Sequence, residues 1–314
     1  MMKKKILISC SLFFLFFGVK IYRVFSAINL EIYENYNSAI LDKINTFREN
    51  PLKYAEVLGI SVDKLKEVWG ESGLDYLKSG FFQVSLNNTL VLTARKHLQD
   101  VMESKSISHL YLNGYTAERM SIEYGYNALL VSESIVGVGF ENYISPEKAL
   151  EIMLNSLIRD ALLKESKEGA PMVFAIYQDL GMAFGGTTIE IEGKKYNIYI
   201  LCLEYGLPRN TPYDVLVGKV FLTSSSHSEN LLASGLRDVT LRIYNEDFQQ
   251  VCKKITFTDG TFFVKNPPRD QYVYIKLNVP YGSKNPLWGK FIKNDLKRFD
   301  LPYPKKWITN NEPY

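Results

Sequence analysis

Three cysteines and three histidines in 314 residues are too few for a disulfide framework and sparse for a metal centre built on several imidazoles. Cys10 sits in an apolar leader. Cys202 and Cys252 fall in strand-like stretches of two different regions, where buried free thiols are expected. Neither sign of charge is in large excess: 37 basic and 34 acidic residues leave a formal +3. No basic stripe with interleaved aromatics runs along the chain, so nucleic acid is not an expected partner. Internal repeats and low-complexity tracts are missing too. What is present, 46% hydrophobic and 13% aromatic residues, excludes wholesale disorder.

The N-terminus carries the clearest local signal. A basic stretch, Met1 to Lys5, precedes the run Ile6–Val19, broken by Ser9, Cys10, Ser11 and Gly18. That run is short for a spanning helix and fits an export signal. Val24-Phe25-Ser26 before Ala27 offers a cleavage point, while Lys20 and Arg23 keep an uncleaved anchor open. Leu7-Ile8-Ser9-Cys10 has the look of a lipid-attachment site, but too little apolar sequence precedes the cysteine. Residues 1–26 are therefore expected to be a signal or anchor. The protein would be secreted, periplasmic or held on the outer side of a membrane, which it meets only through this segment.

Helices come next. Ile40, Leu41, Ile44 and Phe47 recur at helical spacing after Ser38, and Asn50-Pro51 restarts a helix that Gly59 ends. A short helix is expected over Ser61–Trp69, and a longer one opens near Asn87 or Asn88 with Leu90, Ala94, His97 and Val101 on one face. Ser145-Pro146 starts another, broadly apolar helix, with Gly169 as its expected close. Leu180–Ile191 and Lys194–Glu204 read as strands of a hairpin turning at Glu192-Gly193. Helices followed by an antiparallel sheet predict an α+β domain over 38–206. Residues 207–213 read as a linker. Short strands between Val215 and Val279 predict a small all-β module over 214–280, of sandwich type, with a tight turn at Asp259-Gly260. The remainder, 281–314, reads as an extended basic tail with a short helix around Phe291 to Phe299.

The order of motifs in the first domain resembles the CAP superfamily, the cysteine-rich secretory and pathogenesis-related group, in its bacterial form. Ile44-Asn45-Thr46-Phe47-Arg48 resembles the family's opening helix. Leu86-Asn87-Asn88 with Ala94, His97, Asp100 and Met102 resembles its second, and Ser108-His109 its characteristic Ser-His. Arg119 and Gly125-Tyr126 follow in order. Ser132-Glu133-Ser134-Ile135 stands where the family has Gly-Glu-Asn-Ile, and Leu180-Gly181-Met182-Ala183 and Tyr196 to Tyr205 match its hairpin. The resemblance covers roughly Ser38 to Gly206. It implies an α-β-α sandwich with His109 and Glu133 lining a cleft, where some members bind a divalent metal. The second module, through Gly218-Lys219-Val220, Val239-Thr240-Leu241, Thr258-Asp259-Gly260-Thr261-Phe262 and Pro267-Pro268 before Tyr272, is similar to transthyretin-like, carboxypeptidase-regulatory-like β-sandwiches.

One departure from the family pattern matters. Where the long helix normally carries a second histidine, Ser156-Leu157-Ile158 leads here to Arg159, whose guanidinium has no lone pair for a metal. Zinc is therefore not expected, and His109 and Glu133 would be the only ligands if any divalent metal were held. Arg159 either pairs with Glu133 or an anionic ligand in the cleft, or belongs to a solvated face with Glu151 and Asn155. His97 reads as a packed core residue and His227 as part of a solvated loop. Ser108 beside His109 is no nucleophile pair, and Cys202 has no evident catalytic partner. The expectation is a non-enzymatic binding or interaction protein taking a small ligand, lipid or protein partner around His109 and Glu133. The alternative is a nuclease- or peptidase-like hydrolase using that pair as acid and base. A purely structural envelope protein is a third reading.

Overall fold

The structure, a computed structural model, describes residues 30–166, 168–191, 193–212, 214–223, 235–245, 247–267, 272–278, 288–293, 298 and 300–304. The expected leader, Cys10, His227 and the tail beyond 304 lie outside the described residues. No helix among those residues is long and apolar enough to cross a membrane. Helices and mainly antiparallel sheets make the chain α+β, and it divides into two units. One holds residues up to Tyr126 and Val131–Gly206; the other holds Asn127–Leu130 and Leu207–Tyr314.

In the first unit the helices start where local chemistry dictates. Strand β1 (Glu31–Ile32) leads to α1 (Asn37–Glu49) and α2 (Pro51–Val57). Asn50 Oδ1 accepts the Lys53 N–H at 3.0 Å, and Pro51 supplies a first position that needs no donor. Helix α3 (Val62–Lys78) breaks at Gly70, directly after the expected end at Trp69, and then continues through a second half that was not expected. Gly70, at φ 68°, lets the chain kink and restart, so that Leu74 and Leu77 are buried with Leu65. After β2 (Ser85–Leu86) comes α4 (Asn88–Ser104), capped by Asn87 Oδ1 on the amides of Thr89 and Leu90. Then follow α5 (Ala117–Glu123), β3 (Ala128–Phe140), α6 (Pro146–Leu163) and the short α7 (Ala170–Val173). Lys164, left-handed at φ 53°, closes α6, not Gly169. Gly169 has another constraint: a Cβ there would lie 2.2 Å from the Ala161 amide nitrogen.

The hairpin β4 (Asp179–Ile191) and β5 (Lys194–Pro208) forms the centre of the sheet, in order β1-β4-β5-β3, with β2 parallel on β4. Strand β5 thus continues into the stretch expected as linker. Strand β3 is nearly continuously buried, so it lacks the polar-apolar alternation that marks a half-exposed strand. On one face of the sheet, Ala183, Ile198, Ile200, Cys202 and Ile135 pack under Ala94, Leu98, Val101 and Met102 of α4. Gly181 permits that approach, because a Cβ on it would lie 2.1 Å from the Leu90 carbonyl carbon. Gly181 is the register partner of Glu204, so the same missing side chain brings α4 within reach of a strand carboxylate. Gly181→Ala is expected to cost about 2 kcal/mol of stability through overpacking, readable as a lower urea midpoint. An unchanged midpoint would mean that α4 can move aside.

The second unit holds β6 (Val215–Thr223), β7 (Thr240–Tyr244), β8 (Gln250–Ile255), β9 (Thr261–Lys265), β10 (Tyr272–Asn278), β11 (Trp288–Lys293) and β12 (Leu301–Pro304). They form two sheets, β11-β10-β7-β8 and β12-β6-β9, whose buried side chains join one core that includes Leu216, Val220, Leu241, Phe262, Ile275 and Leu301. Gly260 at φ 80° makes the turn before β9. Two expectations need correction. The region expected as a helix from Phe291 begins within strand β11, and the chain to Pro304 is not merely an extended tail. It pairs antiparallel with β10 and parallel with β6, since inter-strand hydrogen bonds outweigh a weak helical pattern.

Candidate functional site

Five ionisable side chains from five segments meet beneath α4. His97 projects from α4 and Glu133 from β3. His109 lies on the loop after α4, Glu168 on the loop after α6, and Glu204 on β5. Glu133 is the hinge of the group: one oxygen meets His97 Nδ1 and the other lies 3.0 Å from His109 Nδ1. The second nitrogen of His97 donates to the Ser108 carbonyl at 2.8 Å, and the second nitrogen of His109 lies 2.7 Å from Glu168 Oε1. Glu168 also accepts the Ile135 N–H at 2.8 Å, satisfying a backbone donor on the outermost strand of the sheet. Burial is steep. His97 is inaccessible and the two carboxylates are nearly so, whereas the His109 side chain keeps 23% of its surface.

These contacts assign the protons. A carbonyl can only accept, so His97 carries hydrogen on Nε2; Glu133, as carboxylate, takes the hydrogen on Nδ1. His109 faces a carboxylate with each nitrogen and is likewise satisfied as an imidazolium. Burial alone would lower both histidine pKa values. For His97 the Glu133 charge outweighs it, and for His109 Glu168 and Glu133 do, lifting His109 to about 9. Glu133 shows the mirror image: burial raises its pKa, but the two imidazoles bring it below the ordinary range.

Glu204 behaves differently. Fully buried and close to the Glu133 charge, its carboxyl is pushed up to about 8. Tyr111 and Thr93 hydroxyls lie 2.5 Å from its two oxygens, and Ser121 Oγ is 3.0 Å away. The Tyr111 hydroxyl also lies 3.0 Å from the Thr93 carbonyl, so it can donate there and accept the proton of Glu204. The Tyr111 ring stacks on His97 at 4.1 Å between centroids. Two imidazolium ions, two carboxylates and a protonated acid make a neutral buried network.

Of the expected site residues, His109 and Glu133 are in contact, and Arg159 is not with them. The Arg159 side chain is half-exposed on α6, 3.9 Å from Glu165, so it does not pair with Glu133 as one reading allowed. Water solvates a guanidinium on that face at no cost, which removes any drive toward the buried carboxylate. His97 is a core residue, yet it also holds one end of Glu133. Glu168 and Glu204 were not singled out from the sequence. Glu204 offered one signal: a carboxylate ending the apolar run Ile198–Leu203, where a buried charge needs partners.

Ligand atoms of His97, Glu133 and Glu204 lie within 4.8 Å of one another. As a donor set for the divalent metal found in some CAP proteins they fit poorly. Both His97 nitrogens point at acceptors, and both Glu204 oxygens face hydroxyls. A metal would have to displace the proton that the surrounding carboxylates stabilise on His97.

Fold and site together define a two-unit α+β protein with a buried His–Glu network in its first unit. No protein-family model and no curated protein matches the chain. Among solved structures it is similar to an outer surface protein from Borrelia burgdorferi, at 14% identity and TM-score 0.35, over 57% of this chain and 98% of that one. It is also similar to an extracellular protein containing a SCP domain from Bacillus anthracis, at 15% identity and TM-score 0.24, over 45% and 41%. Neither likeness is close enough to establish a family.

Proposed function

We propose that this chain is an exported, non-enzymatic binding or interaction protein. In this reading its first unit is a CAP-like domain and its second a transthyretin-like β-sandwich that positions it. The leader motif of residues 1–26 supports export. The observation that carries the rest is the state of His109. It is the one partly exposed member of the network, and both its nitrogens are engaged by carboxylates. An imidazole held in that way is neither a free base nor a nucleophile at neutral pH, which weighs against the hydrolase alternative. It presents a fixed cationic edge against which a small ligand, a lipid or a protein segment can rest. Export rests on the leader motif and the cleft role on the residues around His109.

The purified protein is expected to turn over neither nuclease nor peptidase substrates, with or without added divalent metal. Hydrolysis that His109→Ala abolishes while the fold is retained would replace this reading with the enzymatic one.

A further inference from the structure

The outward face of the β11-β10-β7-β8 sheet gathers positive charge that is scattered in sequence. Register sets Arg242 on β7 directly opposite Lys253 of β8 on one side and Lys276 of β10 on the other. Alternation confirms the facing: Leu241, Ile243, Ile275 and Leu277 are buried, while Arg242, Tyr244, Tyr274 and Lys276 stay partly exposed. No carboxylate among the described residues pairs with any of the three cations, and the described part of the nearby turn carries the exposed Asp247. Like charges placed directly opposite on a sheet repel, so the row is destabilising until an anion covers it. One step along the strands, Tyr244 and Tyr274 are register partners with rings 6.1 Å apart, and Phe248 lies 6.1 Å from Tyr274. Phe248 is 63% exposed, and Ile255 and Val251 add exposed aliphatic surface at the β8 edge.

We propose that this face docks on an anionic phospholipid surface, through Arg242, Lys253 and Lys276 on the phosphates and Phe248, Val251 and Ile255 in the interfacial layer. Cations beside aromatic and aliphatic side chains match the two layers of a bilayer surface. A nucleic acid would use the cations and the tyrosines but would leave exposed Ile and Val without a partner. The surface belongs to the second unit and does not depend on the His109 site, so either reading can fail without the other.

The test is co-sedimentation of the full chain with vesicles of phosphatidylglycerol and phosphatidylcholine, against phosphatidylcholine alone. The parent is compared with an R242Q/K253Q variant and, separately, with F248S. Any contribution from the N-terminal apolar segment is common to all three and cancels in the ratios. Each basic residue near an anionic leaflet contributes about fivefold, so the double variant is expected to bind anionic vesicles about 30-fold more weakly. F248S should weaken binding less, and added salt should shrink the difference between parent and double variant. All three substitutions are on the solvent side, and an unchanged circular dichroism spectrum and melting temperature verify that the fold is kept. Equal binding of parent and double variant to anionic vesicles, or no vesicle binding at all, overturns the proposal. Tighter, Arg242-dependent binding to a single-stranded oligonucleotide or a polyglutamate peptide than to vesicles also overturns it, and assigns the face to that polyanion instead.

Discussion

Arg48→Met is expected to destabilise the first unit by about 4 kcal/mol or more. The guanidinium is wholly buried and is held by backbone oxygens rather than by a counter-ion. Nε donates to the Phe82 carbonyl at 2.7 Å. The terminal nitrogens reach the carbonyls of Met172 at 3.0 Å, Phe174 at 3.2 Å, Ala175 at 3.2 Å and Tyr177 at 3.4 Å. Burial pushes its pKa down to about 10, so it remains a cation at neutral pH. Methionine replaces the stem but leaves these carbonyls without their donors, at about 1–3 kcal/mol for each one left unsatisfied. Lysine should rescue little, because one ammonium cannot span acceptors arranged for a planar fork. The cost extends to the site. The segment Arg48 pins, Met172 to Tyr177, follows directly on Glu168, so loosening it should weaken the grip of Glu168 on His109. Urea unfolding checks the first claim; a methionine variant with the parental midpoint would show that the carbonyls find other donors.

Glu133→Gln should cost about 3–5 kcal/mol, because a neutral amide leaves two imidazolium ions facing each other across a buried site. It should also change how stability depends on pH, and the sign follows from the shifts. His109 is raised from 6.5 to about 9, so its contribution is complete below pH 6.5 and is lost as pH climbs through 9. At its full extent that is about 3 kcal/mol. Glu204, raised from 4.5 to about 8, favours its protonated form in the folded chain, so its contribution also fades between those values as pH rises. Glu133 is depressed, and its contribution is present above 4.5 and lost on acidification. The parent should therefore be most stable near pH 4.5 and weaken steadily from there toward pH 9, first through Glu204 and then through His109. The glutamine variant should show a flatter alkaline limb, since the histidines lose the anion that raised them. Unfolding midpoints of both proteins across that range decide the matter. A parent whose midpoint is level from pH 6 to 9 would mean that the network holds fewer protons than its contacts assign.

The helix starts at Pro51 and Pro146 and the β4–β5 hairpin were legible because their causes are local. Asn50, Asn87 and Ser145 cap amides two or three residues ahead, and Gly193 turns the chain between strands that pair from their first residues. Strand β3 and the length of α3 were not legible in the same way. Burial on both faces erased the alternation of β3, and the helix that restarts after Gly70 was not expected. His109 and Glu133 came from motif order alone. For Arg159 the same reading left the cleft and a solvated face both open, and its side chain is half-exposed on α6 beside Glu165.

What the amino-acid sequence settled by itself is the α+β class, the starts of α2, α4 and α6, and the β4–β5 hairpin, since caps, turns and apolar spacing act over a few residues. Tertiary structure alone decided that His97 and Glu133, 36 residues apart, His109 and Glu133, 24 apart, and His109 and Glu168, 59 apart, share their protons. It likewise decided that Arg242, Lys253 and Lys276 stand in one row. The physical reason is the same in both cases. The state of a charged side chain depends on what lies within a few ångströms, and strand register and packing, not chain position, choose those neighbours.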